Sequence, residues 1–168
     1  MRKLRNIVLT LLAALIVFYG VSWIPTYENP DAVWGATFSQ YYAEEELGLD
    51  WRAAYFAIVD ELKPAKLRLI AYWQYLEPRP DELNFSDLDF QVTEAAKRGI
   101  PVTLAFGYRV PRWPECHWPD WVRRETPEEF RAEVKEYLAH VVEHYRDMQT
   151  IERWQVENEP LFAFFGVC

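Results

Sequence analysis

The pattern that most limits the fold of this chain is an alternation of short apolar runs with longer amphipathic ones, repeated from Val33 onward. The run AVWGATF leads through SQYYAEEELGLD into a helical WRAAYFAIVDELK. AKLRLIAYW is followed by the loop QYLEPRPDELNFSDLD and a helix ending TEAAKRG. IPVTLAFGY is followed by the long loop RVPRWPECHWPDWVRRE and the helix TPEEFRAEVKEYLAHVVEHYRDM. IERWQVENEP is the fourth strand. Strand alternating with helix predicts a parallel sheet with crossover helices. The strand runs are apolar on both alternations, as expected when helices cover one face and side chains fill the other. Gly99 reads as a helix stop. Thr126, ahead of Pro127 and Glu129, reads as an N-cap with proline at the first helical position and a capping-box carboxylate.

The units recur at roughly 30 to 40 residues, close to the ~31 per unit of a ~250-residue (β/α)8 barrel. A doubly wound open sheet also fits the alternation, but no glycine-rich turn follows the first strand, so the dinucleotide-binding version lacks its phosphate loop. The long loops all follow strands, and the returns KPAK, RGIP and MQT are short. In a barrel the loops after the strands build the active-site face. The expectation is an α/β chain: the first four β/α units of a TIM-type barrel over residues 33–168, preceded by an N-terminal segment 1–25 and a linker 26–32.

The formal net charge is −8, which argues against nucleic acid, whose phosphates call for basic patches. The head MRKLR and the uncharged run Ile7–Ile24 form an export signal, read as an uncleaved membrane anchor with the domain outside the cytoplasm; a cleaved signal and a secreted protein are the alternative. Two cysteines, Cys116 and Cys168, allow one bridge and show no metal spacing. His140 and His144 lie four apart on a helix without a third ligand, and read as a surface pair. Neither a metal nor a cofactor is expected.

The fourth strand ends in an unusual cluster, RWQVENEP. Pro160 lacks an N–H and disfavours helix for its predecessor, so Glu159 is expected extended at the strand's end, with Asn158 beside it at the barrel mouth. Here the chain resembles the retaining glycoside hydrolases of clan A, the cellulase-like (β/α)8 enzymes, whose fourth strand ends in Asn-Glu and often Asn-Glu-Pro. LRLIAYWQYLEPRPDELNFSDLD looks like their second strand and loop, and VTLAFGYRVPRWPE like their third, so the likeness runs from about Trp34 to Pro160. It implies Glu159 as general acid/base, Asn158 as the residue bonding the sugar 2-hydroxyl, and Arg68 as the strand-two arginine that steadies the nucleophile. A glycosidic oxygen leaves poorly, so an acid must protonate it and later deprotonate water.

Trp73, Tyr108 and Trp113 fall at or just after strand ends, where ring faces can stack on sugar; core or loop packing fits them equally. Glu157 is read as structural, paired with a cation such as Arg68. Cys116 and Cys168, in loops on the same rim, are expected to form a disulfide beside the cleft. The family's nucleophile is a glutamate on the seventh strand. The expectation is therefore the N-terminal half of a longer hydrolase of poly- or oligosaccharide, inactive by itself and with its nucleophile half absent from these 168 residues. A non-catalytic, anchored carbohydrate- or partner-binding half-barrel remains the alternative.

Overall fold

The structure, a computed structural model, describes residues 2–22, 31–113, 115–124 and 126–160. The chain divides into two units, Met1–Ala32 and Val33–Cys168. The first contains helix α1 (Arg2–Ser22), on which Ile7, Leu11, Ile16 and Phe18 are exposed. Among the described residues no helix is long and apolar enough to cross a membrane, so the expected anchor is not shown. The described helix takes in residues 7–22 of that run, and residues 23 and 24 lie outside the described residues. Residues 26–30 of the expected linker lie outside the described residues.

The second unit is a four-stranded parallel sheet in the order β1-β2-β3-β4, comprising β1 (Gly35–Thr37), β2 (Lys66–Tyr72), β3 (Val102–Gly107) and β4 (Ile151–Val156). Between them run α2 (Trp51–Phe56), continued as π-helix over Ala57–Leu62; α3 (Trp73–Leu76); α4 (Ser86–Lys97); and α5 (Pro127–Tyr145). Sequential order with every pair parallel is what a partial β/α barrel requires. Strand β1 is shorter than the run AVWGATF implied. It pairs with β2 on one side alone among the described strands, and Val33 and Trp34 ahead of it are exposed.

Each strand sends alternate residues to opposite faces, and the faces differ in chemistry. Leu67, Leu69 and Ala71 of β2 join Val102, Leu104 and Phe106 of β3 against Tyr55, Val92, Tyr137 and Val141 from the helices. On the other face Ile70, Tyr72 and Ala105 form a smaller cluster with Val110. Arg68 shares that second face by alternation, which puts one cation among aliphatic neighbours and makes its partners important. A bulge between Val102 and Thr103 sets the β3–β4 register, so that Leu104 lies beside Trp154 and Ala105 beside Gln155.

The helix ends follow local chemistry. Gly99 takes φ 66 after α4, a conformation that costs glycine little. At α5 the Thr126 side chain accepts from the Glu129 N–H while the Glu129 carboxylate accepts from the Thr126 N–H, closing the capping box ahead of Pro127. Thr126→Ala removes one half of that exchange and is expected to lower stability by about 1 kcal/mol, read as a shift in the urea midpoint with unchanged slope.

Candidate active site

The C-terminal ends of β2, β3 and β4 bring together residues that are far apart in sequence. Strand β4 stops at Val156, and Glu157 turns the chain sharply with φ 61. The Glu157 N–H still donates to Phe106 O at 2.9 Å, and the Asn158 N–H donates to Arg109 O at 2.6 Å, so the turn remains laced to the β3 loop. The Glu157 carboxylate accepts from the Arg109 N–H at 2.7 Å and the Tyr108 N–H at 3.3 Å. It sits over Gly107, where an added Cβ would lie 2.6 Å from its Cδ and where φ is 135. Glu157 is thus structural as expected, but its partners are two backbone amides, with no pairing to Arg68. Burial raises its pKa, opposed by those N–H donors and by the Arg109 charge.

Arg68 reaches instead to Asn158, donating from Nη2 to Oδ1 at 2.9 Å across 90 positions of sequence. The Asn158 Nδ2 donates to Glu115 Oε1 at 2.9 Å, and Arg109 Nε reaches Glu115 Oε2 at 3.4 Å. Gln155 adds a contact to Asn158 Oδ1 at 3.4 Å and another to Glu157 O at 3.1 Å. Burial lowers the Arg68 pKa, opposed by Tyr72 and Glu115. Its Nε is buried with no hydrogen-bond partner. The sequence reading did not single out Glu115 or Gln155. Glu115 lies in the long loop after β3, the segment class that lines a barrel mouth, but nothing in its immediate sequence sets it apart from other loop carboxylates.

Glu159 is exposed, with φ 49. The extended conformation expected from Pro160 is not adopted, because β4 has ended three residues earlier at the Glu157 turn and no described strand holds the outer edge of β4. Trp73 is 0% exposed, stacked on Tyr137 with centroids 5.0 Å apart, and its Nε1 donates to Glu77 at 2.8 Å. It is a core residue and presents no face to a sugar. The Tyr108 ring packs against Trp118 and Phe130. Trp113, in the β3 loop, is 68% exposed. Cys116 is not free; Cys168, its expected partner, lies outside the described residues.

Residues 70–163 match the family description Glycosyl hydrolase family 10, a span that runs from within β2 past the end of β4. The chain belongs to glycosyl hydrolase family 10. No curated protein matches it at the level of sequence. Among solved structures, GH5_18 from Streptomyces cattleya, in complex with GlcNAc, is similar with TM-score 0.58 and 18% identity over 76% of this chain and 34% of that one. The exo-beta-1,4-mannosidase Op5Man5 from Opitutaceae bacterium strain TAV5 gives TM-score 0.60 and 17% identity over 75% of this chain and 24% of that one. A beta-galactosidase from the psychrophilic Marinomonas ef1 gives 0.54 and 18% over 77% and 22%. At such identities the likeness speaks for the fold. This family 10 chain spans about a third or less of each of these proteins.

Two outcomes are expected at the β3–β4 junction. Gly107→Ala forces a side chain onto a left-handed backbone against Glu157 and is expected to cost more than ~1 kcal/mol in a denaturant titration. The folded Glu157 carboxyl holds its proton more readily than the unfolded one, so its contribution is complete in acid and is lost as pH rises through the folded value. Wild type should therefore lose stability relative to Glu157→Gln between mildly acid and neutral pH. A pH-independent difference would show that burial of this carboxyl is not felt.

Proposed function

We propose that this chain supplies the acid/base side of a glycosidase that works by retaining double displacement on a poly- or oligosaccharide. One observation carries the reading: the hydrogen bond from Arg68 to Asn158 joins the mouths of β2 and β4 immediately before Glu159, in a family 10 chain. In this reading Glu159 protonates the glycosidic oxygen and then deprotonates the attacking water. Asn158 binds a hydroxyl of the sugar, and Trp113, 68% exposed in the β3 loop, is the aromatic assigned to the substrate side. The exposed setting of Glu159 leaves its carboxyl accessible to a glycosidic oxygen.

The nucleophile is assigned to a glutamate outside these four strands. The unpaired, buried Nε of Arg68 supports that assignment, because a carboxylate placed beside it would satisfy both groups. Export belongs to the same proposal and rests on the basic head and apolar run; membrane fractionation of the native protein distinguishes an anchored form from a secreted one.

The test compares the 168 residues with the longer polypeptide read from the source DNA, using aryl glycosides of graded leaving-group acidity. The longer protein should hydrolyse them, and Glu159→Gln should lower turnover about 10²–10⁴-fold for poor leaving groups and much less for dinitrophenolate, which needs no proton. Efficient turnover by the 168 residues alone would sink the division of the two carboxylates. Glycan binding without hydrolysis in the longer protein, unchanged by Glu159→Gln, would favour a carbohydrate-binding half-barrel.

A further inference from the structure

The β3 loop holds two non-glycine residues with left-handed backbone, Arg112 at φ 95 and Glu115 at φ 67. Such residues carry a backbone cost, and persist where surrounding bonds over-determine them. Those bonds are present. The Glu115 N–H donates to Arg112 O at 2.6 Å, the Val110 N–H to Glu115 O at 3.0 Å, and the His117 N–H to Tyr108 O at 2.9 Å. The His117 ring, wedged between Tyr41 and Tyr72, bonds Arg112 O through Nε2 at 3.0 Å. The Tyr72 hydroxyl donates to Pro111 O at 3.0 Å. The loop is braced from both ends, and what it delivers is the Glu115 carboxylate, against Asn158.

We infer that Glu115 is a positioning residue that fixes which way the Asn158 amide faces, so that the site offers a sugar hydroxyl a hydrogen-bond donor. An asparagine side chain has two nearly isosteric ends, and its neighbours decide between them. Arg68 has donors only, so it must face Oδ1. A Glu115 carboxylate has acceptors only, so it must face Nδ2. Turning the amide over would set donor against donor and acceptor against acceptor. With Oδ1 serving both Arg68 and Gln155, and one Nδ2 hydrogen given to Glu115, the main unspent capacity of the side chain is the second Nδ2 hydrogen. Arg109, reaching the other oxygen of Glu115, holds the carboxylate in place.

The inference rests on the glycosidase reading for its consequence, and its geometry can be tested without it. In the 168-residue chain, the Asn158 side-chain amide signal in a ¹H–¹⁵N spectrum, assigned by its loss in Asn158→Asp, should show slowed solvent exchange of the hydrogen given to Glu115. In Glu115→Leu the signal should move and exchange faster while the backbone spectrum stays folded, and in Glu115→Gln it should stay nearer to wild type. An Asn158 signal that Glu115→Leu leaves in place overturns the inference whether or not any sugar is cleaved.

In the longer protein, Glu115→Leu should lower kcat/KM for a p-nitrophenyl glycoside about tenfold, while Glu115→Gln, which keeps one acceptor for Nδ2, restores most of it. Glu115→Leu should cost nothing further once Asn158 is alanine. Additive losses in the double variant would mean that Glu115 acts apart from Asn158, and would also overturn the inference. If no glycoside is turned over at all, the functional reading fails, and the amide signal still decides the role of Glu115.

Discussion

The mouth of this sheet depends on one carboxylate that takes no part in the proposed chemistry. Glu157 lies across the end of β3 and accepts the Arg109 and Tyr108 amides, which β3 would otherwise leave unpaired as it turns into its loop. The contact is possible because residue 107 is glycine, with no side chain in the space that the carboxylate fills. It sets where β4 ends and where Asn158 begins, since the Asn158 amide is then drawn to Arg109 O. The Asn158 backbone takes its place from that junction.

Around it the charge of Arg68 on the inner face does not stand alone. Arg68 would be costly among Ile70, Tyr72 and Ala105 without a strong acceptor, and Asn158 supplies a neutral one. An amide meets the guanidinium without neutralising it, which leaves Arg68 able to attract a further carboxylate. Glu115 and Arg109 extend the chain of bonds across the β3 loop, coupling three strand ends through side chains of which none is fully exposed. The half-buried setting strengthens each contact relative to water and raises the cost of leaving one unmade.

Much of the architecture was legible because its signals are local. The apolar runs of β2 and β3, the stop at Gly99 and the Thr126 capping box each announce themselves within a few residues, and the structure places them where the sequence puts them. The parallel order of the strands followed from the alternation, whereas the bond from Arg68 to Asn158 was not foreseen, since Glu157 was the partner expected for Arg68. What escaped is what depends on contacts distant in sequence. The Glu157 turn is set by Gly107, 50 positions earlier, and that turn, rather than Pro160, governs the backbone at the end of β4. Trp73 sits at a strand end yet is claimed by Tyr137 and Glu77 from other elements.

The bulge between Val102 and Thr103 gives β4 one residue more than the stretch of β3 it pairs with, because Val102 faces Ile151 while Thr103 faces Arg153. Side chains along a strand alternate strictly, so one extra residue reverses the face of everything beyond it. Because of it, Trp154 lies with Leu104 and Phe106, its ring 5.6 Å from that of Phe106, and Gln155 lies with Ala105, close enough to touch Asn158. A β4 with regular parity would carry the indole to the inner face and turn the glutamine toward the helices. Whether the mouth of this sheet is polar or aromatic at its fourth strand is therefore decided at the opposite end of that strand, by a count of one.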